Sequence, residues 1–233
     1  MSSNEINNLI NHDFLVKLIV IGDAGVGKSS MCNLFVNNIK NYNYETTIGV
    51  EFFSKHVNVN YSKDNEFINR NLKVHIWDTA GQETFRGMLS CYYRTCAGIL
   101  LFLDLSDRES FINLDYWLKQ IELNGPAIRP PIMLFCNKKD LDKHMISREE
   151  IDEYCKTYNL MYSYTSINEP KTIHSAINIL LVKISQLIDD EEDPENIVGV
   201  KKNKDKNKFK KARYGNCELE VCKERECFNC NIL

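Results

Sequence analysis

The sequence predicts an α/β fold, a six-stranded, mostly parallel sheet with helices on both faces. Three observations predict it. Between residue 14 and about residue 188, candidate strands alternate with candidate helices, the order expected of a parallel sheet covered by its crossovers. Stretches such as 14–21 and 97–104 are apolar at almost every position, as strands buried on both faces must be. A glycine-rich turn joins the first strand directly to the first helix, an arrangement characteristic of such sheets.

The elements follow in order. Strands are expected at 14–21, 50–60, 72–77, 97–104, 131–136 and 160–164. Helices are expected at 28–38, 84–95, 108–124, 147–158 and 171–188. Met31, Leu34 and Phe35 recur at helical spacing in the first helix. In the last, Ile173, Ile177, Leu180, Leu181, Ile184, Leu187 and Ile188 form one stripe, as a helix lying on a sheet requires. The segment 60–71 is polar and rich in turn formers, so it reads as a loop, a lengthened hairpin between the second and third strands. Five consecutive carboxylates, Asp189 to Asp193, and then Pro194 argue against further packed helix. The expected domains are therefore a flexible extension at 1–13, a folded domain at 14–188 and a tail at 189–233.

Composition narrows the class. The 233 residues suffice for one domain with appendages, and 43% are apolar, enough for a full core. A net charge of −3 gives no reason to expect nucleic acid as a partner. Nine cysteines, an odd number with five inside the folded region, read as reduced thiols. Residues 1–13 are polar and carry no secretory signal, and Ser2 stands where N-myristoylation needs glycine. No apolar run is long enough to span a bilayer.

The turn after the first strand reads Gly22-Asp23-Ala24-Gly25-Val26-Gly27-Lys28-Ser29, followed by Ser30, and fits the phosphate-loop pattern. Its glycines allow close backbone approach, and its N–H groups and the following helix N-terminus supply positive potential for a phosphate chain. Lys28 is expected to reach the β- and γ-phosphates and the Ser29 hydroxyl to ligate Mg²⁺. In isolation such a turn can serve strand–helix packing alone.

Three further clusters fall at strand ends. In Trp77-Asp78-Thr79-Ala80-Gly81-Gln82-Glu83, Asp78 closes an apolar strand beside the phosphate loop, where open sheets bind ligands. Its carboxylate can hold Mg²⁺, Gly81 can bring an N–H to the γ-phosphate, and Gln82 can orient an attacking water. In Phe135-Cys136-Asn137-Lys138-Lys139-Asp140, Asp140 can accept both adjacent N–H donors of guanine, a pair that adenine lacks. Asn137 can tie this loop to the phosphate loop, and the Lys138 stem can lie over the base. Thr47, just before the second strand, falls between these boxes. Singly, each cluster also fits a solvated turn or cap.

In this order and spacing the boxes resemble the small GTPase family over roughly residues 14–188, and most of all its Rab branch. Ile48-Gly49-Val50-Glu51-Phe52, Lys73-Val74-His75-Ile76-Trp77-Asp78, Thr84-Phe85-Arg86-Gly87-Met88 and Tyr92-Tyr93-Arg94 look like Rab sequences around the two switch regions. The resemblance implies a P-loop NTPase small G domain that binds GTP or GDP with Mg²⁺. It makes Thr47 the switch I residue that ligates Mg²⁺ with Ser29 and Asp78, and Gln82 the hydrolysis residue. It implies a membrane-bound switch in vesicle trafficking that cycles with the cytosol on the cytoplasmic face of intracellular membranes. Its partners would be an activating protein, an exchange factor, an escort or dissociation-inhibitor chaperone, and effectors. No Rho-type insertion is visible.

Three positions depart from the family. Lys40 stands where an aromatic residue usually stacks on guanine, with Tyr42 a substitute if the loop shifts. The fifth box reads Ser166-Ile167-Asn168 in place of Ser-Ala-Lys, so Ile167 can offer an N–H to guanine while the lysine is missing. Ala24 replaces a serine frequent in Rabs. Lys40 and Asn168 leave open a second reading, a nucleotide-binding scaffold with little hydrolysis; an ATP-dependent kinase is disfavoured by Asn137 and Asp140.

The C-terminus, Cys230-Asn231-Ile232-Leu233, fits a prenylation box whose final leucine favours geranylgeranyl. One lipid chain anchors weakly, and the run 201–213, with eight basic residues against Asp205, supplies a second signal toward an anionic leaflet. Cys222 or Cys227 could carry a further acyl chain. The same run also reads as a solvated linker, and four cysteines from Cys217 to Cys230 match no common zinc spacing.

Overall fold

The computed structural model describes residues 12–40, 47, 49–80 and 90–203. Its elements are β1 (Phe14–Gly22), α1 (Lys28–Asn37), β2 (Val50–Lys63), β3 (Glu66–Thr79), α2 (Ser90–Tyr93), β4 (Gly98–Asp104), α3 (Arg108–Ile112), α4 (Leu114–Asn124), β5 (Ile132–Asn137), α5 (Arg148–Tyr158), β6 (Met161–Tyr164), α6 (Pro170–Asp190), a 3₁₀ turn (Pro194–Asn196) and β7 (Val200–Lys202). Strand order is β2-β3-β1-β4-β5-β6. All neighbours along it are parallel except β2 and β3.

The apolar strands are buried on both faces, as their composition requires. On one face Leu18, Val20, Leu100 and Phe102 pack under α1 and under Ile177, Leu181 and Ile184 of α6. On the other, Ile19, Ile21, Leu101 and Leu134 meet Leu114, Trp117, Leu118 and Ile121 of α4 and Ile151 and Cys155 of α5. Across the sheet, Phe102 and Phe135 stack with ring centroids 4.5 Å apart. No disulfide joins Cys32, Cys96, Cys136 or Cys155.

Two expectations need correction. The segment 60–71 is not a loop: β2 and β3 pair continuously from Val50↔Thr79 to Lys63↔Glu66. The turn is only Asp64-Asn65, with φ of 50° and 64°, the left-handed pair that a two-residue hairpin demands. Polar residues fill the outward positions, while Tyr61 and Ile68 keep the segment packed on the core. The helix expected at 108–124 breaks at Asn113, which closes α3 and opens α4. Of the helix expected at 84–95, the described residues show Ser90–Tyr93.

The chain after residue 188 continues in ordered structure. Helix α6 runs to Asp190, and Tyr61 and Arg70 from the hairpin bond to the Asp189 carboxylate. Lys63 pairs with Asp190 at 2.5 Å. A seventh strand follows: β7 lies antiparallel to the start of β1, with Phe14↔Lys202 and Val16↔Val200 in register. Gly199, at φ 79°, lets the chain pass so close to β4 that a Cβ there would lie 2.4 Å from the Ala97 nitrogen. Asp13 and Asn203 bond at 2.9 Å between backbones, and one compact unit ends at Asn203. Lys201 and Lys202, the start of the basic run, are exposed residues of this strand.

Candidate nucleotide site

The phosphate loop lies between β1 and α1 at the C-terminal ends of the parallel strands. Gly22 has φ 136°, and a Cβ there would sit 2.6 Å from the Phe102 carbonyl oxygen. Gly27 has φ 100°, and its Cβ would meet Asn137 Nδ2 at 2.4 Å. Only glycine fits either place. Asn137 uses that clearance: its Nδ2 donates to the Val26 carbonyl at 2.8 Å, and its Oδ1 accepts from Thr165 Oγ1 at 3.2 Å. The two loops expected to hold phosphate and base are therefore joined by one side chain.

Lys28 opens α1 and is 6% exposed. Its Nζ donates to the carbonyls of Gly22 at 2.9 Å and Asp23 at 2.6 Å. Burial lowers its pKa to about 8, against the opposing influence of Asp78 and Asp23. Next to it, Ser29 Oγ lies 2.7 Å from Thr47 Oγ1 and donates to Asp78 Oδ2 at 2.5 Å. Asp78 is fully buried, and burial raises it to about 6 against the pull of the Ser29 bond and Lys28. Its Oδ1 has no hydrogen-bond partner among the described residues. Thr79 Oγ1 donates to the Val20 carbonyl at 2.7 Å, and Ala80 N–H donates to that of Gly49 at 2.9 Å. These bonds seat the end of β3 between β1 and the residues entering β2.

Asp140 is exposed at the rim of the base loop. Burial raises its carboxyl, but hydrogen bonds from Ser166 and Asn168, with its backbone and Lys139, together outweigh this and leave it below the ordinary carboxylate range. Asn168 Nδ2 reaches Asp140 Oδ2 at 2.8 Å. The residue that replaces the family's lysine thus braces the Asp140 carboxylate. Lys138 adopts φ 61° and pairs its ammonium with Asp104 Oδ2 at 2.5 Å. Ser166 is buried, and Ile167 packs partly into the core. Ala24 and Gly25 form the exposed crown of the loop, while Val26 is buried beneath it. Ser30 continues the first turn of α1.

Gly81, Gln82, Tyr42 and Cys230 lie outside the described residues, and Lys40 is exposed. Several contributors escaped the sequence reading. Asp104 anchors Lys138, Thr165 braces Asn137, and Asn113 and Trp117 hold the Asp23 carboxylate. None belongs to a box, and their partners are distant in sequence, so spacing gave no signal.

A polyphosphate cradle at a strand–helix turn, joined to a base loop and to a residue poised before β2, defines a switch-type nucleotide-binding protein. Comparison with known families agrees. The Ras family matches residues 17–186. Human Ras-related protein Rab-27B is 32% identical over 224 residues, 93% of this chain and 97% of that protein. Rat Ras-related protein Rab-27A is 32% identical over 195 residues, 81% of this chain and 88% of that protein. Bovine Ras-related protein Rab-27B is 31% identical over 196 residues, 81% of this chain and 90% of that protein. The chain belongs to the Ras family of small GTPases, in its Rab branch; it binds GTP and GDP and hydrolyses GTP.

Proposed function

We propose that this protein is a Rab-type switch whose phosphate loop, Thr47 and Asp78 hold the nucleotide's phosphates and a Mg²⁺ ion, and which acts in vesicle trafficking on membranes. One observation carries the reading. Thr47 Oγ1, from the segment before β2, meets Ser29 Oγ of the phosphate loop at 2.7 Å, and Ser29 in turn meets the Asp78 carboxylate. Three hard oxygens converge, one of them beside a buried carboxylate oxygen without a partner among the described residues. That donor set suits Mg²⁺, which favours oxygen ligands and bridges phosphates. Bound there, the ion would supply charge neutralisation to the phosphate chain.

The protein's own groups divide the remaining work. Lys28 neutralises the β- and γ-phosphates, Asp140 accepts the guanine N–H pair, and the N–H of Ile167 meets the guanine oxygen. Gln82 orients the attacking water. Because Thr47 leads directly into β2, its grip on the site orders the strand edge that partners read. Phe52 on that strand is 47% exposed and packs on Trp77, which packs on Tyr92, an aromatic surface fit for effectors.

The described residues contain no helix long and apolar enough to cross a membrane. Attachment falls to a prenyl chain on Cys230 with the basic run 201–213, on the cytoplasmic face of intracellular membranes. An escort chaperone would shield the lipid in the cytosol. Exchange and activating proteins set the nucleotide state.

Single-turnover hydrolysis by the purified protein tests the catalytic assignment: Gln82→Leu should slow turnover while GTP stays bound, and unchanged turnover rejects the role. Competition between GTP and ATP tests the base assignment, since Asp140→Asn should lose the preference for guanine. Fractionation of cells expressing Cys230→Ser should find the protein soluble, and continued membrane association rejects the anchor.

A further inference from the structure

Asp23 is an acid inside a loop that, on the nucleotide-site reading above, holds a polyphosphate anion. A carboxylate at that position opposes the task unless it is restrained. The restraint comes from one helical turn. Asn113, at the junction of α3 and α4, donates its Nδ2 to Asp23 Oδ2 at 2.7 Å. Trp117, four residues on and on the same helix face, donates its Nε1 to Asp23 Oδ1 at 2.8 Å. Each carboxylate oxygen therefore receives an uncharged donor from this turn. Trp117 is 1% exposed and shares a core with Ile21, Leu101 and Leu103, so the sheet sets the position of its indole. Meanwhile the backbone carbonyl of Asp23 accepts the Lys28 ammonium at 2.6 Å. The Asp23 charge also raises the pKa of Lys28, so acid and base lie within electrostatic reach.

We propose that Asn113 and Trp117 are positioning residues for the phosphate loop: they turn the Asp23 carboxylate toward α4 and off Lys28, leaving the ammonium to a nucleoside di- or triphosphate. The proposal rests on the reading of residues 22–29 as the nucleotide site. A carboxylate released from this clamp competes with phosphate for Lys28. The simpler reading is that a buried indole N–H needs an acceptor and Asp23 provides it. The two readings differ in what the removal of Asp23 does.

The experiment is release of a fluorescent GDP analogue from the full-length protein, measured by stopped flow in excess unlabelled GDP. Trp117→Phe keeps the ring and removes the donor, and Asn113→Ala removes the other. Each should speed release about tenfold, the scale of one hydrogen bond to a charged group. The pair should fall short of the product of the singles, because they hold one carboxylate. Adding Asp23→Ala to Trp117→Phe should bring the rate back to within about threefold of wild type. Unchanged release in both single variants overturns the proposal, and so does accelerated release that Asp23→Ala fails to reverse. Failure of the wild type to retain GDP overturns the nucleotide-site reading itself. Should Trp117→Phe not fold, Asn113→Ala with and without Asp23→Ala carries the same test through the other oxygen.

Discussion

Asp78 and Lys28 are buried side by side, and each is pushed toward its neutral form. For Asp78 the folded pKa of about 6 exceeds the ordinary 3.8. Its contribution to stability is therefore complete below 3.8 and is lost as pH rises through about 6. Lys28 acts in a separate window: its folded value of about 8 lies below 10.5, so stability falls as pH drops through that interval. Chemical unfolding of protein stripped of nucleotide and divalent cations should find wild type losing about 3 kcal/mol relative to Asp78→Asn between pH 4 and pH 6.5. A difference that does not change with pH rejects the raised value. Asn168 gives a second prediction. Removing the amide that braces Asp140 in Asn168→Ala should weaken GDP binding about fivefold, with little change for ATP, as calorimetric titration would show. The Asn168 outcome also marks the reach of sequence reading. The missing lysine was visible as a departure, but the bond that replaces it exists only once Asp140 and Asn168 come together from different strand ends.

Among the elements, the β2–β3 hairpin diverges most from its sequence. Within residues 60–71 only Tyr61 is buried and Ile68 packs against the core, too few apolar positions for period-2 reasoning to find a strand. The informative residues were Asp64 and Asn65, which suit the left-handed turn between two strands. What keeps the long hairpin in place is its contact with the end of α6. Arg70 and Asp189 form an ion pair with both side chains mostly covered, and Tyr61 adds a hydroxyl to the same carboxylate. Asp189→Ala should strand a partly buried guanidinium and cost about 2 kcal/mol in urea unfolding. Tyr61→Phe should cost about 1 kcal/mol. Helices α1, α5 and α6 were legible because their apolar stripes match the sheet faces that they cover. The break at Asn113 was not, because Asn113 looks like ordinary helix surface until the Asp23 contact is seen.

For the whole molecule, the alternation of elements identified the layered sheet and its order of chemistry, since the phosphate-loop, Asp78 and Asn137 boxes lie where parallel strands end and Thr47 lies before antiparallel β2. The end of the folded region was harder to read. Five carboxylates and a proline suggested solvated tail, yet two of the carboxylates neutralise the hairpin and the chain behind them returns to the sheet. A chain ending at Asn203 should therefore melt with the full-length protein. One ending at residue 188 should melt several degrees lower, because it loses β7, the buried Val200 and both carboxylates. Gly199→Ala within the complete chain should fall between them, because its left-handed backbone and the Ala97 nitrogen leave no room for a methyl group.

The seating of β7 on β1 also has a mechanical meaning. Tension on the chain beyond Asn203 meets the bonds of Asn203 to His12 and Asp13 and then the three ladder pairs of β7, which belong to the strand whose other end carries the phosphate-loop motif, ~30 Å away. Pulling on that end therefore loads the central strand of the sheet through the short ladder at Phe14 to Val16. That ladder should part first under force and act as a fuse, sparing the nucleotide-holding end of β1.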